Sequence, residues 1–564
     1  MGSTAYDDNR CVYFRGIADS IAGVTEMFEL KTILKTRRLS ASWFAVFFFL
    51  PGIPGVPVLG AQAPSVVTIK PGTLPVVTTV DERYQSYNIE MLEVTGGRFW
   101  KPYAALAAQT ADTGAASTPA GMNPDMYAYR APKDLGNARL RALATALGPA
   151  YVRVSGTWAN STYLPAADET VTTPPEGFGG VLTRAQWKGV VDFAGATNAE
   201  IVTSFATSVG TRDAHGEWTP VQAKRFMEYT RALHGHIVAA EFMNEPTFAA
   251  LGGAPKGYDA AQYGRDFHRF LEFAHADAAG MKIAGPGSVG ESTGPSLGAG
   301  FPGFIPTPKL LEAAGSNNVD IFSYHAYGGA SQRCSVMGTQ QSTPEGALTE
   351  AWLAKSGEML AFYKEQRDRF DPGKPLWLTE TGETGCGGNP WASTFLDSFR
   401  YLDQLGRLAK GGVKVVMHNT LAASDYGLLD ENTFEPRPNY WAALLWRRLM
   451  GTTVLDAGVP TQEGLHVYAH CLRGKSGGVA LLVIQNDPAA AHTLRLTAAS
   501  ERYTLSAATL QSRQVLLNGE PLALGSHDEL PGLKPMVARA GVVSFAPGSI
   551  TFLAVPAAGD ASCK

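Results

Sequence analysis

Two glutamates stand where an enzyme holds an acid, a base or a nucleophile. Glu245 closes the run Ile237-Val238-Ala239-Ala240-Glu241-Phe242-Met243-Asn244-Glu245-Pro246. Glu380 closes Pro375-Leu376-Trp377-Leu378-Thr379-Glu380-Thr381-Gly382. Each run is apolar, of strand length, and ends in a carboxylate. Pro246 stops the first, having no N–H for a ladder, and a Gly-rich loop (Gly382, Gly385, Gly387, Gly388) follows the second. Paired carboxyl groups flanking a bond are what most glycoside hydrolysis requires. Asn244 is placed to bond a sugar 2-hydroxyl, a contact that strengthens in the transition state. Glu383 and Glu241 are the rivals. Glu380 is preferred to Glu383 because a strand fixes a side chain more tightly than a loop, and Glu241, deeper in its strand, reads as structural.

Such tips need a scaffold that gathers strand ends on one face. Short apolar runs alternate with helix-period stretches from Ser86 to Thr420, the mark of a parallel sheet with helices outside. Strands are expected at Ser86–Leu92, Tyr151–Thr157, Glu200–Thr207, Ile237–Asn244, Lys282–Gly287, Ile321–Tyr327, Leu376–Glu380 and Val413–Asn419. Eight in this rhythm favour a closed (β/α)₈ (TIM) barrel, an α/β fold, over an open doubly wound sheet. In such a barrel the C-terminal strand ends carry the site. Supporting residues then fall on the other tips: Asn88 and Glu90 on the first, Arg153 on the second, His325 and Tyr327 on the sixth, His418 and Asn419 on the eighth. Tyr327 is read as bonding the nucleophile, His325 as orienting it or as a satisfied core histidine, and Arg153 as keeping it ionised. The rest are pocket liners or members of a buried network.

Beyond Gly451 the runs become short and period-2, separated by Gly, Pro and Asn, which reads as an antiparallel sandwich. Pro64–Val80 is strand-like and is expected to complete it. The organisation is therefore an extension and export signal over 1–63, N-terminal sandwich strands over 64–82, the barrel over 83–450, and the β-sandwich over 451–564. The signal consists of basic Lys35, Arg37 and Arg38, an apolar run Ala41–Leu50 too short to stay as a membrane span, and Ala61-Gln62-Ala63 as a cleavage site. A secreted or periplasmic chain without a membrane anchor, starting near Pro64, follows. The Ala-rich stretch Ala104–Ala120 reads as a loop.

With a net charge of −4 and 17% charged residues, the composition lacks the basic excess of general nucleic-acid binders. No zinc spacing, nucleophile elbow, Walker loop or dinucleotide fingerprint is present, so neither metal nor cofactor is expected. Asn160-Ser161-Thr162 is a glycosylation sequon if the host glycosylates. Four cysteines outside the presequence allow three connectivities. Cys334 with Cys386, and Cys471 with Cys563, are the expected disulfides because each pair lies within one module; four free thiols are the alternative.

Trp377-Leu378-Thr379-Glu380-Thr381, Val415-Val416-Met417, Asp430-Glu431-Asn432 and Pro438-Asn439-Tyr440-Trp441, with Asn244-Glu245-Pro246 and His325-Ala326-Tyr327, resemble the heparanase-like enzymes of glycoside hydrolase family 79. The resemblance implies a retaining hydrolase of β-glucuronide bonds, with Glu245 as acid/base and Glu380 as nucleophile, about 5–5.5 Å apart. It implies a glucuronic-acid-containing glycosaminoglycan such as heparan sulfate as substrate, cleaved by endo action, with exo action or an inactive carbohydrate-binding barrel as alternatives. A monomer is expected. Tyr426 matches the tyrosine with which the family grips the uronate carboxylate. Gly387 and Gly388 match its loop N–H groups, and Glu90 matches its first-strand acid.

Overall fold

The computed structural model describes residues 66–107, 122–295, 298, 300–337 and 342–564. The export-signal readings, the start near Pro64 and most of the Ala104–Ala120 loop lie outside the described residues.

Eight parallel strands close into a barrel. They are β1 (Gln85–Glu90), β2 (Ala150–Ser155), β3 (Ala199–Ser204), β4 (Ile237–Glu241), β5 (Lys282–Ser288), β6 (Ile321–Ala326), β7 (Leu376–Thr381) and β8 (Val415–His418). β8 pairs with β1 through Val416 and Gln85, which shuts the ring. Helices outside the strands follow the expected rhythm: Arg184–Ala196 begins on a Thr183–Gln186 capping box, and Asn137 caps Ala138–Leu147.

Strand alternation sorts the interior into layers. Tyr151, Val202, Ala239, Ile321, Trp377 and Val415 belong to one buried apolar cluster inside the ring. Two residues further along four of these strands come Arg153, Glu241, Ser323 and Thr379. All four are buried, and they form a polar layer above the apolar one. That layer is the floor on which the strand tips stand.

The C-terminal strands form a nine-stranded sheet and a three-stranded sheet. Val76–Thr79 joins the larger by pairing with Met450–Leu455, and Thr68–Ile69 joins the smaller beside His492–Leu496. Ile69, Leu455, Leu481, Leu494, Phe545 and Leu553 pack between the two sheets. The other face of the large sheet, with Tyr468, Leu482 and Phe552, shares a core with barrel-helix residues Leu402 and Trp446. Both expected disulfides are present: Cys334–Cys386 joins the loops after β6 and β7, and Cys471–Cys563 ties the sandwich to the C-terminus. In the chain-entropy account, loops of 52 and 92 residues closed this way each stabilise the fold by about 4–5 kcal/mol.

Candidate active site

The polar layer is built around Arg153. Its Nε and Nη2 donate to Glu241 Oε2 at 3.1 and 2.8 Å, and its Nη1 donates to Glu380 Oε2 at 2.8 Å. Nη2 also donates to Asn244 Oδ1 at 2.8 Å. Glu241 Oε1 accepts from Ser323 and Thr379, each at 2.7 Å. Burial acts to raise the Glu241 pKa, but the Arg153 charge, then His325 and the Ser323 bond, outweigh it and hold the carboxyl well below its usual range. Glu241 is therefore a fixed anion inside the wall, as its depth in the strand suggested.

Glu380 sits at the end of β7, in register with His325 on β6. Besides Arg153, it accepts from the Tyr327 hydroxyl at 2.8 Å. Glu245 lies just past β4 with a left-handed backbone, φ +48° and ψ +63°, a conformation that costs a non-glycine residue roughly 1–3 kcal/mol. Asn160 holds the chain there, its Oδ1 accepting from the Asn244 N–H and its Nδ2 donating to the Asn244 carbonyl, both at 2.8 Å. Asn160 is 1% exposed, so in the folded protein its amide serves this clamp and is closed to glycosylation. In sequence Asn160 shows only as part of a sequon; the signal of its clamping role is a polar side chain following a barrel strand.

One carboxylate oxygen of Glu245, one of Glu380 and a His325 ring nitrogen lie within 4.8 Å of one another. Burial raises the Glu245 pKa, and the Glu380 charge adds to this against a hydrogen bond from His325. His325 is expected to orient the nucleophile, but its nearer partner is the other carboxylate. Nδ1 is 3.1 Å from Glu245 Oε1 and 3.8 Å from Glu380 Oε2. Burial favours the neutral ring, yet the Glu380 charge and hydrogen bonds to Glu241 and Glu245 raise its pKa to about 9. Arg153, with Nη2 3.2 Å from His325 Nε2, pulls the other way.

A cleft of about 170 Å³ opens over this pair. Tyr327, Glu90, Asn419 and Tyr426 line it beside the two glutamates. Asn419 Nδ2 lies 2.9 Å from Glu90 Oε1, 3.1 Å from Tyr426 Oη and 3.2 Å from Tyr327 Oη, so one amide sets three side chains. Burial, then the Glu380 charge, raises the Glu90 pKa well above the usual range. Its Oε2 is buried without a partner. That oxygen lies where a side chain at Gly156 would stand, 1.6 Å from an ideal Cβ, so glycine is required there.

Several expected liners lie elsewhere. Asn88 is 1% exposed and bonds the Thr379 carbonyl at 3.1 Å, so its amide belongs to the barrel wall. Arg153 and His325 are buried beneath the cleft and reach it only through the carboxylates. His418 donates from Nε2 to the Tyr426 carbonyl at 2.8 Å; burial first, then Arg400, lowers its pKa to about 4, and it supports Tyr426 as a neutral ring. Glu383 ties the loops after β6 and β7 together, accepting from Ser342 Oγ at 2.6 Å and the Asn389 N–H at 2.9 Å. Gly385 and Cys386 line the cleft; Gly387 and Gly388 are not among its lining residues. Cys386, Gly387 and Gly388 have φ of +60°, +80° and +80°, and turns of this kind can aim successive N–H groups at an anion. A Cβ on Gly387 would meet Trp100 Cγ at 2.6 Å. Arg333 braces this loop, donating to the Gly388 carbonyl at 2.8 Å and the Lys101 carbonyl at 2.9 Å, and pairing with Asp425. Neither Arg333 nor the aromatic wall of Trp100, Tyr127 and Trp158 was legible in the sequence.

The family described as glycosyl hydrolase family 79, N-terminal domain, matches residues 169–406, a span that holds both glutamates. The heparanase of Mus musculus is 27% identical over 503 residues, covering 76% of this chain and 88% of that protein. The baicalin-beta-D-glucuronidase of Scutellaria baicalensis is 28% identical over 364 residues, covering 61% of this chain and 64% of that protein. Among solved structures, a 4-O-alpha-L-rhamnosyl-beta-D-glucuronidase from Fusarium oxysporum superposes with a TM-score of 0.58 at 13% identity, over 86% of this chain and all of that one, a likeness of fold.

Proposed function

Because this chain belongs to the heparanase-like glycosyl hydrolase family 79 and is a glycosidase, we propose that it cleaves β-glucuronide linkages with retention of configuration. Glu380 attacks the anomeric carbon, the bond to the leaving oxygen breaks, and Glu245 gives that oxygen its proton. Water then attacks the glycosyl ester, returns a proton to Glu245 and frees Glu380. The observation that carries this reading is the carboxylate spacing: oxygens within 4.8 Å suit direct attack at about 5–5.5 Å between carboxyl groups, whereas an inverting pair, about 6.5–9.5 Å apart, leaves room for a water. The electrostatics agree with the roles. Burial and the neighbouring anion raise the Glu245 pKa before attack, and esterification of Glu380 removes that anion. Arg153 and Tyr327 hold Glu380 as an aimed carboxylate.

In this reading Tyr426, which lines the cleft, takes the uronate carboxylate, while Asn244, Glu90 and Asn419 take ring hydroxyls. With Oδ1 held by Arg153, Asn244 offers its Nδ2 to the 2-hydroxyl. The barrel, 83–450, does the chemistry, and 64–82 with 451–564 form the sandwich. Two disulfides support a secreted or periplasmic location, and no helix of the described residues is long and apolar enough to cross a membrane. Endo-cleavage of heparan sulfate is a second reading, favoured by the match along 88% of the mouse heparanase. Proton NMR of an aryl β-glucuronide digest tests the main one. The β-anomer should appear first. An α-anomer would contradict retention, and an unchanged substrate would leave a binding protein.

A further inference from the structure

The cleft has two chemically different ends. Around Glu380 gather Glu90, Asn419, Tyr426 and Tyr327, all able to bond hydroxyls or a carboxylate. Around Glu245 they give way to Phe248, Leu251 and Phe301, whereas Met122, Trp100 and Trp158 pack with Cys386 of the loop after β7. Phe248 and Leu251 belong to the 3₁₀ segment Pro246–Gly252, which leaves directly from Glu245. The Phe301 ring stands edge-on to Phe248 at 5.1 Å, and Trp158 is edge-on to Trp100 at 6.5 Å. Phe248, Leu251, Phe301 and Trp158 are half-buried, so each keeps an apolar surface open.

Charge sharpens the contrast. Among the described residues lining the cleft the only charged side chains are Glu90, Glu245 and Glu380; neither lysine nor arginine is among them. Residues 108–121, 296–297, 299 and 338–341 contain no basic residue in sequence either. A sulfated leaving group brought here would meet apolar rings and carboxylates, with no cation among the described lining residues to replace its hydration.

A general acid protonates the leaving oxygen, so the leaving group lies on the Glu245 side. Resting on the retaining β-glucuronidase reading above, we propose that this side is a binding site for an uncharged, planar apolar aglycone, held against Phe248, Leu251 and Phe301. The enzyme thus selects aryl or benzyl β-glucuronides over sulfated saccharide chains. Ring burial supplies the affinity and the missing cations supply the exclusion.

Benzyl and methyl β-D-glucuronide have leaving alcohols of similar acidity, so their comparison isolates the contact. The benzyl compound should show a KM at least about tenfold lower, the gain from burying one ring. A sulfonate at the para position of the benzyl ring should erase that gain. Phe248→Ala, and separately Phe301→Ala, should bring the benzyl-to-methyl KM ratio toward one. Equal KM values in the parent enzyme, undiminished binding of the sulfonated compound, or release of sized fragments from heparan sulfate at a comparable kcat/KM would each overturn the proposal. Turnover of neither glucuronide would instead overturn the glucuronidase reading, and this proposal with it.

Discussion

Arg153 donates through Nε, Nη1 and Nη2, and all of these donors serve the site: Glu241 below, Glu380 above, Asn244 beside. A guanidinium is suited to this, since its planar fork holds several acceptors at fixed angles. Its two carboxylates differ in freedom. Glu241 is saturated by Ser323, Thr379 and Arg153, whereas Glu380 faces the cleft with Tyr327 as its other bond. Glu245 is the proton carrier in this account, and its pKa is raised above 4.5 by burial and by Glu380. Activity requires its proton, so kcat/KM should fall as pH rises through that raised value. Glu245→Ala should lose roughly 10²–10⁴ in rate on substrates with poor leaving groups, the usual worth of general acid catalysis, and should lose the falling limb as well. A pH profile of parent and variant checks this; a limb that persists in the variant would belong to another group.

At the scale of elements, the strand tips are set by neighbours as much as by their own strands. β4 ends at Glu241, and Asn160, from the turn after β2, carries the chain on through Asn244. The disulfide and Arg333 do the same for the loop after β7. Further out, the helix Phe395–Lys410 meets the sandwich strand His466–Leu472 through one buried carboxylate. Asp403 is within 2.5 Å of both His466 Nδ1 and the Tyr468 hydroxyl, and accepts from Arg407 at 3.1 Å. Burial acts to raise its pKa, but His466 and Arg407 outweigh this and lower it. Its stabilisation is therefore present above the unfolded value, near 3.9, and is lost only as pH falls through the lower folded value. Asp403→Ala should cost about 3 kcal/mol or more, because it strands buried donors. The loss in denaturant melts should be the same at pH 7 and pH 5, with KM little changed; a near-neutral melt would show that this contact does not hold the elements together.

The whole molecule brings two side chains 380 − 245 = 135 residues apart in sequence to opposite sides of one cleft. That much was legible in sequence because both runs end in a glutamate followed by a ladder-breaker, and because barrel strands repeat with a rhythm that survives without contacts. The cysteine pairs were legible because each falls within one module. His466–Leu472 was not, since the large sheet is buried on both faces and the strand shows no alternation. The partners of His325, the clamp by Asn160 and the apolar end of the cleft depend on which loops fold over the barrel mouth, and spacing carries no record of that. In the proposed reaction the glycosyl group passes covalently through the Glu380 carboxylate. Incubation with a 2-deoxy-2-fluoro-glucuronyl fluoride, which forms the ester quickly and hydrolyses it slowly, followed by peptide mass mapping, tests this most directly. The adduct should sit on Glu380 and be absent from Glu380→Gln; an adduct on Glu245 or Glu383, or label retained by that variant, would contradict it.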